Sequence, residues 1–264
     1  MCGWLRLALI NNAMNALLTA TGITPAAAAI AALMTFCAAY VRGISGFGMA
    51  IILVPLLGMI IRPEQAVILA IFLQALIGPV GIRGSVAACE KPSTFIIAAA
   101  AVAATPLGLW LLSVTPRDTA RIVIAAIAVG AFLLVILPKQ KAARPGRVMT
   151  ISTGLLAGML TGFAAMPGPP VVPYYMRLGI TPHAARASMM TVFFATAIAG
   201  SVSAVISGLA SLAIAALAIL LFIPVLIGNW LGSKAFGKIS PLLWRSGVAV
   251  LLALASISAV VRAL

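Results

Sequence analysis

The chain has 264 residues, 64% of them apolar and 8% charged, and carries a formal charge of +14 at pH 7. Soluble domains run at about 45–50% apolar and about 25% charged, so an ordinary water-soluble enzyme or binding module is excluded. The 17 Lys and Arg stand mostly singly between apolar runs, which excludes a nucleic-acid-binding face, and no alternating segments mark a β-barrel.

What remains is an all-α polytopic membrane protein, with apolar stretches of about 20 residues recurring from Thr24 onward. Residues 1–24 form an N-terminal segment. Arg6 and several leucines resemble a leader, but Asn11, Asn12 and Asn15 interrupt its apolar core, so an interfacial helix is expected. A first transmembrane repeat is expected over 25–137, with segments at 25–42, 47–61, 64–83, 93–113 and 118–137. Its first run is broken by Gly43-Ile44-Ser45-Gly46-Phe47-Gly48 and closed by Pro55 and Pro63. A basic cytoplasmic linker, 138–147, follows with Lys139, Lys141, Arg144 and Arg147. The second repeat, 148–264, has segments at 148–163, 168–178, 183–207, 212–232 and 242–263. Its break runs from Gly162 through Pro167-Gly168-Pro169-Pro170, closed by Pro173 and Pro182.

Gly46-Phe47 and Gly162-Phe163 lie 116 residues apart, while Pro63 and Pro182 lie 119 apart. Gly108-Leu109-Trp110 echoes Gly228-Asn229-Trp230, and Thr115-Pro116 echoes Ser240-Pro241. Each half therefore reads as one broken element followed by three full helices. Segments 47–61 and 168–178 would rise only about 22 Å and about 16 Å, short of the roughly 30 Å hydrocarbon core. Either each broken element crosses once as a kinked helix, or it folds back as a re-entrant hairpin. With Arg42 left aside, a single crossing divides Lys and Arg 8 inside and 8 outside. Folding back gives 11 inside and 5 outside, as the positive-inside rule favours. Two inverted repeats are expected. Cys2, Cys37 and Cys89 are odd in number and lack metal-ligand spacing, so they read as free thiols.

Irregular backbone survives at membrane depth only where it is buried in protein or lines a wet cavity. Half-helices starting there aim free N–H groups and a positive dipole end at that cavity, which suits an anion. The expected substrate-binding residues at the first break are Arg42, Ser45, Gly46, Phe47 and Gly48. At the second they are Thr161, Gly162, Phe163, Ala165, Met166, Pro167 and Gly168, with Tyr174 beyond. The bland reading is that the glycines only permit tight helix packing. Glu64 and His183 follow equivalent prolines and are candidates for proton coupling, although Glu64 also suits a helix start. Gln74, Asn229, Ser188 and Thr191 read as substrate contacts or as glue between helices. Gly43-Ile44-Ser45-Gly46 resembles the nucleophile motif of rhomboid intramembrane proteases, with His183 the only available base. That alternative and a passive anion channel stand beside a secondary transporter. No cofactor or metal site is expected.

From about Ala28 to Val261 the chain resembles the TauE/SafE sulfite exporter family, also called the toluene sulfonate uptake permease family. The likeness rests on Gly43–Gly48 with Val54-Pro55, and on Pro167-Gly168-Pro169-Pro170-Val171-Val172-Pro173-Tyr174-Tyr175. Arg177-Leu178-Gly179-Ile180, Pro182-His183-Ala184-Ala185-Arg186-Ala187 and Gly228-Asn229-Trp230-Leu231-Gly232 with Lys234 add to it. Where many members carry glycines at the second break, this chain has Ala164, Ala165 and Met166. The resemblance implies a two-repeat permease for a small sulfur-containing anion: sulfite, sulfoacetate, a taurine-related compound or an aromatic sulfonate. The expected setting is the cytoplasmic (inner) membrane, multi-pass, with the bilayer and a coupling ion such as H⁺ as partners. A homo-oligomer is compatible with the sequence, and no nucleic acid is involved.

Overall fold

The structure, a computed structural model, describes residues 24–136 and 145–235. The N-terminal segment, most of the linker and the expected helix at 242–263 lie outside the described residues. Every described element is a helix. The first, α1 (Pro25–Ser45), starts on Thr24, whose side chain accepts from Ala27 N–H, with Pro25 in the first turn where no partner for its nitrogen is needed. It ends at Gly46, whose φ of 80° closes the helix by an N–H bond to Arg42 O. It therefore runs three residues beyond the expected 25–42. Then come α2 (Met49–Leu57), α3 (Pro63–Ile77), α4 (Ile82–Ala88), α5 (Lys91–Val114) and α6 (Arg117–Ile136). The second half holds α7 (Arg147–Ala164), α8 (Gly168–Arg177), α9 (Pro182–Ile206) and α10 (Leu212–Ala235).

Helices α1, α5, α7, α9 and α10 are each long and apolar enough to cross a membrane. The expected single helix over 64–83 is instead two, α3 and α4, bent by 80°. Pro79 and the left-handed Gly81 (φ 79°) explain the bend, for Pro79 lacks an N–H and Gly81 takes a conformation that costs other residues.

Seams of small residues set the packing. Along α5 and α7, a Cβ on Gly154 would lie 2.6 Å from Ile97 O, one on Gly158 2.1 Å from Ala101 O, and one on Gly162 2.2 Å from Thr105 O. Rising numbers meet rising numbers, so α5 and α7 run in the same direction. Along α1 and α10 the same holds: Gly228 meets Phe36 O and Gly232 meets Tyr40 O. Helix α9 runs with α5, for Ser188 bonds Glu90 and Gly200 meets Thr105. It runs against α3, for Gly200 meets Ile71 and Phe194 meets Gly78. The short α2 and α3 fill the centre with Met49, Ile52, Leu53, Leu57, Ile68, Leu69 and Ile71. The long helices keep apolar outer faces, with Trp110 and Trp230 59% and 56% exposed, as a lipid-facing shell requires.

Helix ends recur at 119 residues: Ser45 with Ala164, the left-handed Gly46 with the left-handed Ala165, Pro63 with Pro182. The expected 116-residue register at the breaks is therefore three residues short. Ser45 stands opposite Ala164 rather than Thr161, and Thr161 stands opposite Arg42.

Candidate functional site

At the first break, Ser45 Oγ lies 2.8 Å from Val41 O and 2.6 Å from Phe47 O, and accepts from Phe47 N–H at 3.2 Å. Its hydroxyl serves its own turn. A residue three positions back does more. Arg42 is buried at 5% exposure, and its Nη1 donates to Asn229 Oδ1 of α10 at 3.5 Å. From α9, Arg186 Nη2 donates to Gly43 O at 2.8 Å. Gly46 is glycine for space as well as conformation, because a Cβ there would lie 2.5 Å from Arg186 Cγ. Two guanidinium side chains thus converge on the end of α1.

Arg186 also lines a cavity of about 330 Å³, with Ser85 of α4, His183 of α9, and Asn229 and Ser233 of α10; Arg42 bonds one of these residues, Asn229, without lining the cavity itself. The α3–α4 bend forms its other wall, where Gly81 and Gly84 meet nothing that a Cβ would touch. An apolar groove of about 520 Å³ continues from it past Val80, Leu226, Ile227 and Trp230, sharing Asn229 and Ser233. At its edge Lys234 Nζ sits 3.5 Å above the Trp230 ring, a cation–π contact. Positions equivalent to that groove on α5, Pro106, Leu109, Trp110 and Ser113, line a third cavity of about 440 Å³. There Leu109 replaces Asn229, and none of the described residues lining it is charged.

The chain contains only three acidic residues. Glu64 pairs with Arg62 and Arg117 at 3.7 and 3.6 Å. Asp118 pairs with Arg121 at 3.4 Å. Glu90 caps α5, accepting from Ser93 N–H at 3.0 Å and from the Ser93 hydroxyl. Arg42 is buried beside Arg186, a concentration of positive charge that attracts an anion.

The second break is different. Ala164, Ala165 and Met166 are fully enclosed in the core, and Phe163 and Gly168 are buried. Thr161 Oγ1 donates to Ala157 O at 2.7 Å, and Tyr174 OH bonds Thr150 Oγ1 at 2.8 Å. Pro167, Pro169 and Pro170 have no N–H, so Gly168 is the sole donor of the first turn of α8. None of these residues lines the cavity; the first break is tied to its wall through Arg186 on Gly43 O and Arg42 on Asn229, and Phe47 lies half-buried between the two core clusters. Gln74 of α3 holds this break shut, with Nε2 donating to Ala165 O at 3.1 Å. Leucine at position 74 would strand that carbonyl. Gln74→Leu is expected to lower stability by about 1–3 kcal/mol, read from unfolding in detergent; an unchanged midpoint would show that the break needs no lock.

Sequence reasoning took Arg186 for a topology charge and did not single out Ser85 or Ser233. The available signal was Arg186 itself, the only Lys or Arg within α9. Of the two residues considered for proton coupling, His183 lines the cavity and Glu64 lies in the Arg62–Arg117 network. The Ser45 contacts do not include His183, so no nucleophile–base pair is formed there.

A family model described as sulfite exporter TauE/SafE matches residues 31–259. Comparisons with curated proteins and with solved structures give no match. The matched span runs through both breaks, the α3–α4 bend and every helix that lines the cavity. It is a span of membrane helices in a transporter family, not an enzyme, and the chain belongs to the TauE/SafE sulfite exporter family.

Proposed function

We propose that the protein is a secondary transporter that moves a small sulfur-containing anion, sulfite or an organosulfonate, across the cytoplasmic membrane. The observation that carries this reading is Arg186 on the cavity wall with Ser85, Asn229 and Ser233, backed by the buried Arg42, which donates to the same Asn229. The anion's oxygens would take Arg186, Asn229, Ser85 and Ser233 as donors, with Arg42 as the deeper charge. His183, at the cavity wall, would carry the coupling proton.

The two halves are proposed to be inverted repeats. Support comes from the directions of packed helices: α7 runs with α5 and α9, while α1 runs with α10, which returns from α9 through a short turn. The first helices of the halves then point in opposite directions, as the Lys and Arg distribution also favours. Alternating access would transfer the opening from the Asn229 end to the equivalent Leu109 end, about the hinge at Gly81.

The test is uptake of labelled sulfite and of a small organosulfonate into proteoliposomes, with and without an imposed proton gradient. Saturable uptake with counterflow, accelerated by the gradient, is the expected result. Unsaturable flux without counterflow would make the protein a channel, and absence of flux with either anion would sink the assignment.

A further inference from the structure

We propose that the cavity between α5 and α9 is a second mouth of the anion path, on the opposite membrane face, which α9 opens inward by bending at Gly200. This rests on reading the protein as a transporter of two inverted halves. Along α9, Arg186 lines the first cavity and Ser203 the third. The rise between them is about 26 Å, close to the roughly 30 Å hydrocarbon core, so the two cavities face opposite sides. On α5 the third cavity is lined by Pro106, Leu109, Trp110 and Ser113. Each lies 120 residues before a residue of the groove beside the first: Leu226, Asn229, Trp230 and Ser233.

The two halves show one element in two shapes. Moved by 119 residues, the stretch Pro63 to Ala88 of α3 and α4 falls on Pro182 to Ser207, which is α9 with its cap, and Gly81 falls on Gly200. The first copy is bent by 80°, and the second is one continuous helix. The bend leaves nothing within 4 Å of a Cβ on Gly81, and Met190 lines the space beside it. The equivalent pair, Gly200 and Ile71, is closed: a Cβ on Gly200 would lie 3.0 Å from Ile71 Cγ2. Ser85 lines the first cavity, whereas its equivalent, Ala204, is fully buried.

Helix α9 is built to yield at this point. Gly200 is its only glycine and precedes Ser201, and sharp helix kinks gather at such pairs. The nearest atoms to a Cβ on Gly200 belong to side chains, not to backbone as along the α5–α7 seam, so close approach of backbones is not its reason. Ser201 and Ser203 donate to Ala197 O and Ala199 O at 2.8 and 2.7 Å. Those carbonyls lose their N–H partners when the helix opens at Gly200, and the hydroxyls keep them satisfied where lipid cannot. The second mouth holds the anion more weakly than the first, since Val67 and Leu109 stand for Arg186 and Asn229.

The test is thiol labelling of the full chain in sealed vesicles of uniform orientation, with Cys2, Cys37 and Cys89 replaced by alanine. Ser85→Cys marks the first cavity and Ala204→Cys its buried equivalent. A membrane-impermeant maleimide is expected to reach Ser85→Cys from one side and Ala204→Cys from the other, the latter faster while sulfite or ethanesulfonate is being carried. Labelling of Ala204→Cys from neither side, or from the Ser85→Cys side, with flux intact, would overturn the second mouth. Gly200→Ala decides the matter if Ala204→Cys does not fold. It should slow flux by about tenfold without weakening binding, because alanine favours the straight helix and resists a left-handed bend. Unchanged flux in Gly200→Ala would also overturn the proposal. Absence of flux in the unmodified protein would sink the transporter reading instead, and opposite-side labelling would then still establish the hinge.

Discussion

Replacing Arg42 by Met is expected to abolish anion uptake and, at the same time, to raise the thermal stability of the anion-free protein. The two effects have one cause. Arg42 is 5% exposed, bonds Asn229 at the 3.5 Å limit, and shares its surroundings with Arg186 rather than with a carboxylate. A charge held this way is a standing cost in the empty protein, and replacing buried charges by apolar groups of similar volume is neutral or stabilising by about 1–4 kcal/mol. Methionine fills the same slender space with a flexible stem. With anion bound the sign reverses, since truncating one member of a buried charge pair costs about 2–5 kcal/mol. Uptake at limiting substrate should therefore fall by about thirtyfold to several thousandfold, taking a factor of ten for each 1.4 kcal/mol. Transport assays and unfolding midpoints on the same preparation check both signs. If uptake and stability fall together, Arg42 pins α1 to α10 through Asn229 and is not the anion's counter-charge. If uptake is unchanged, the cavity's charge lies with Arg186 alone.

The sequence made the helix starts readable because their rules are local. Pro25, Pro63 and Pro182 each open a helix, and Thr24 and Thr181 cap the first and third of these. The stop was read three residues early, because Gly43 lies within the helix and Gly46 is the glycine that ends it. The α3–α4 bend has a local signal too, Gly78-Pro79-Val80-Gly81, but the apolar run across 77–82 hides it from a reading by hydropathy. The slip from 119 to 116 residues has a geometric origin. Three residues are close to one helical turn, so the wrong register still places glycines and aromatics on nearly the same face. The hydroxyls misled differently. In apolar surroundings Ser and Thr within helices turn back to a carbonyl four residues earlier, as Ser45 does to Val41 and Thr161 to Ala157. Arg186 escaped because its meaning lies in Gly43, 143 residues away. Tertiary contact alone turns a topology charge into part of a site.

Gly158→Ala is expected to destabilise the protein severely, although the substitution adds one methyl group inside a helix where alanine is intrinsically favoured. A Cβ at 158 would lie 2.1 Å from Ala101 O, and the obstacle is backbone, which cannot turn aside as a side chain can. The neighbouring turns are equally tight: Gly154 and Gly162 face Ile97 O and Thr105 O, and Gly108 faces Met159 O at 2.1 Å. Helices α5 and α7 would have to separate along the whole seam. In lipid, helix association rests on close packing rather than on the hydrophobic effect, so lost contact is not recovered elsewhere. A loss of about 3 kcal/mol or more is expected, at the upper end for overpacking. Gly130→Ala in α6 is the control, since a Cβ there meets nothing within 4 Å. There the better helix propensity of alanine should stabilise by about 0.5–1 kcal/mol. Opposite shifts of the unfolding midpoint would fix close approach as the reason for glycine at 158. The same seams bear on motion. They join α7 to α5, and α1 to α10, so each half's first helix is bound to the other half. Rocking of residues 25–136 as a body against 145–235 would tear both seams. Movement of the α1–α10 pair against the α5–α7 pair would keep both intact, with the 80° bend between α3 and α4 as the place where the chain yields. Equal shifts for Gly158→Ala and Gly130→Ala would mean a loose seam, and with it freedom for the halves to move as the sequence divides them.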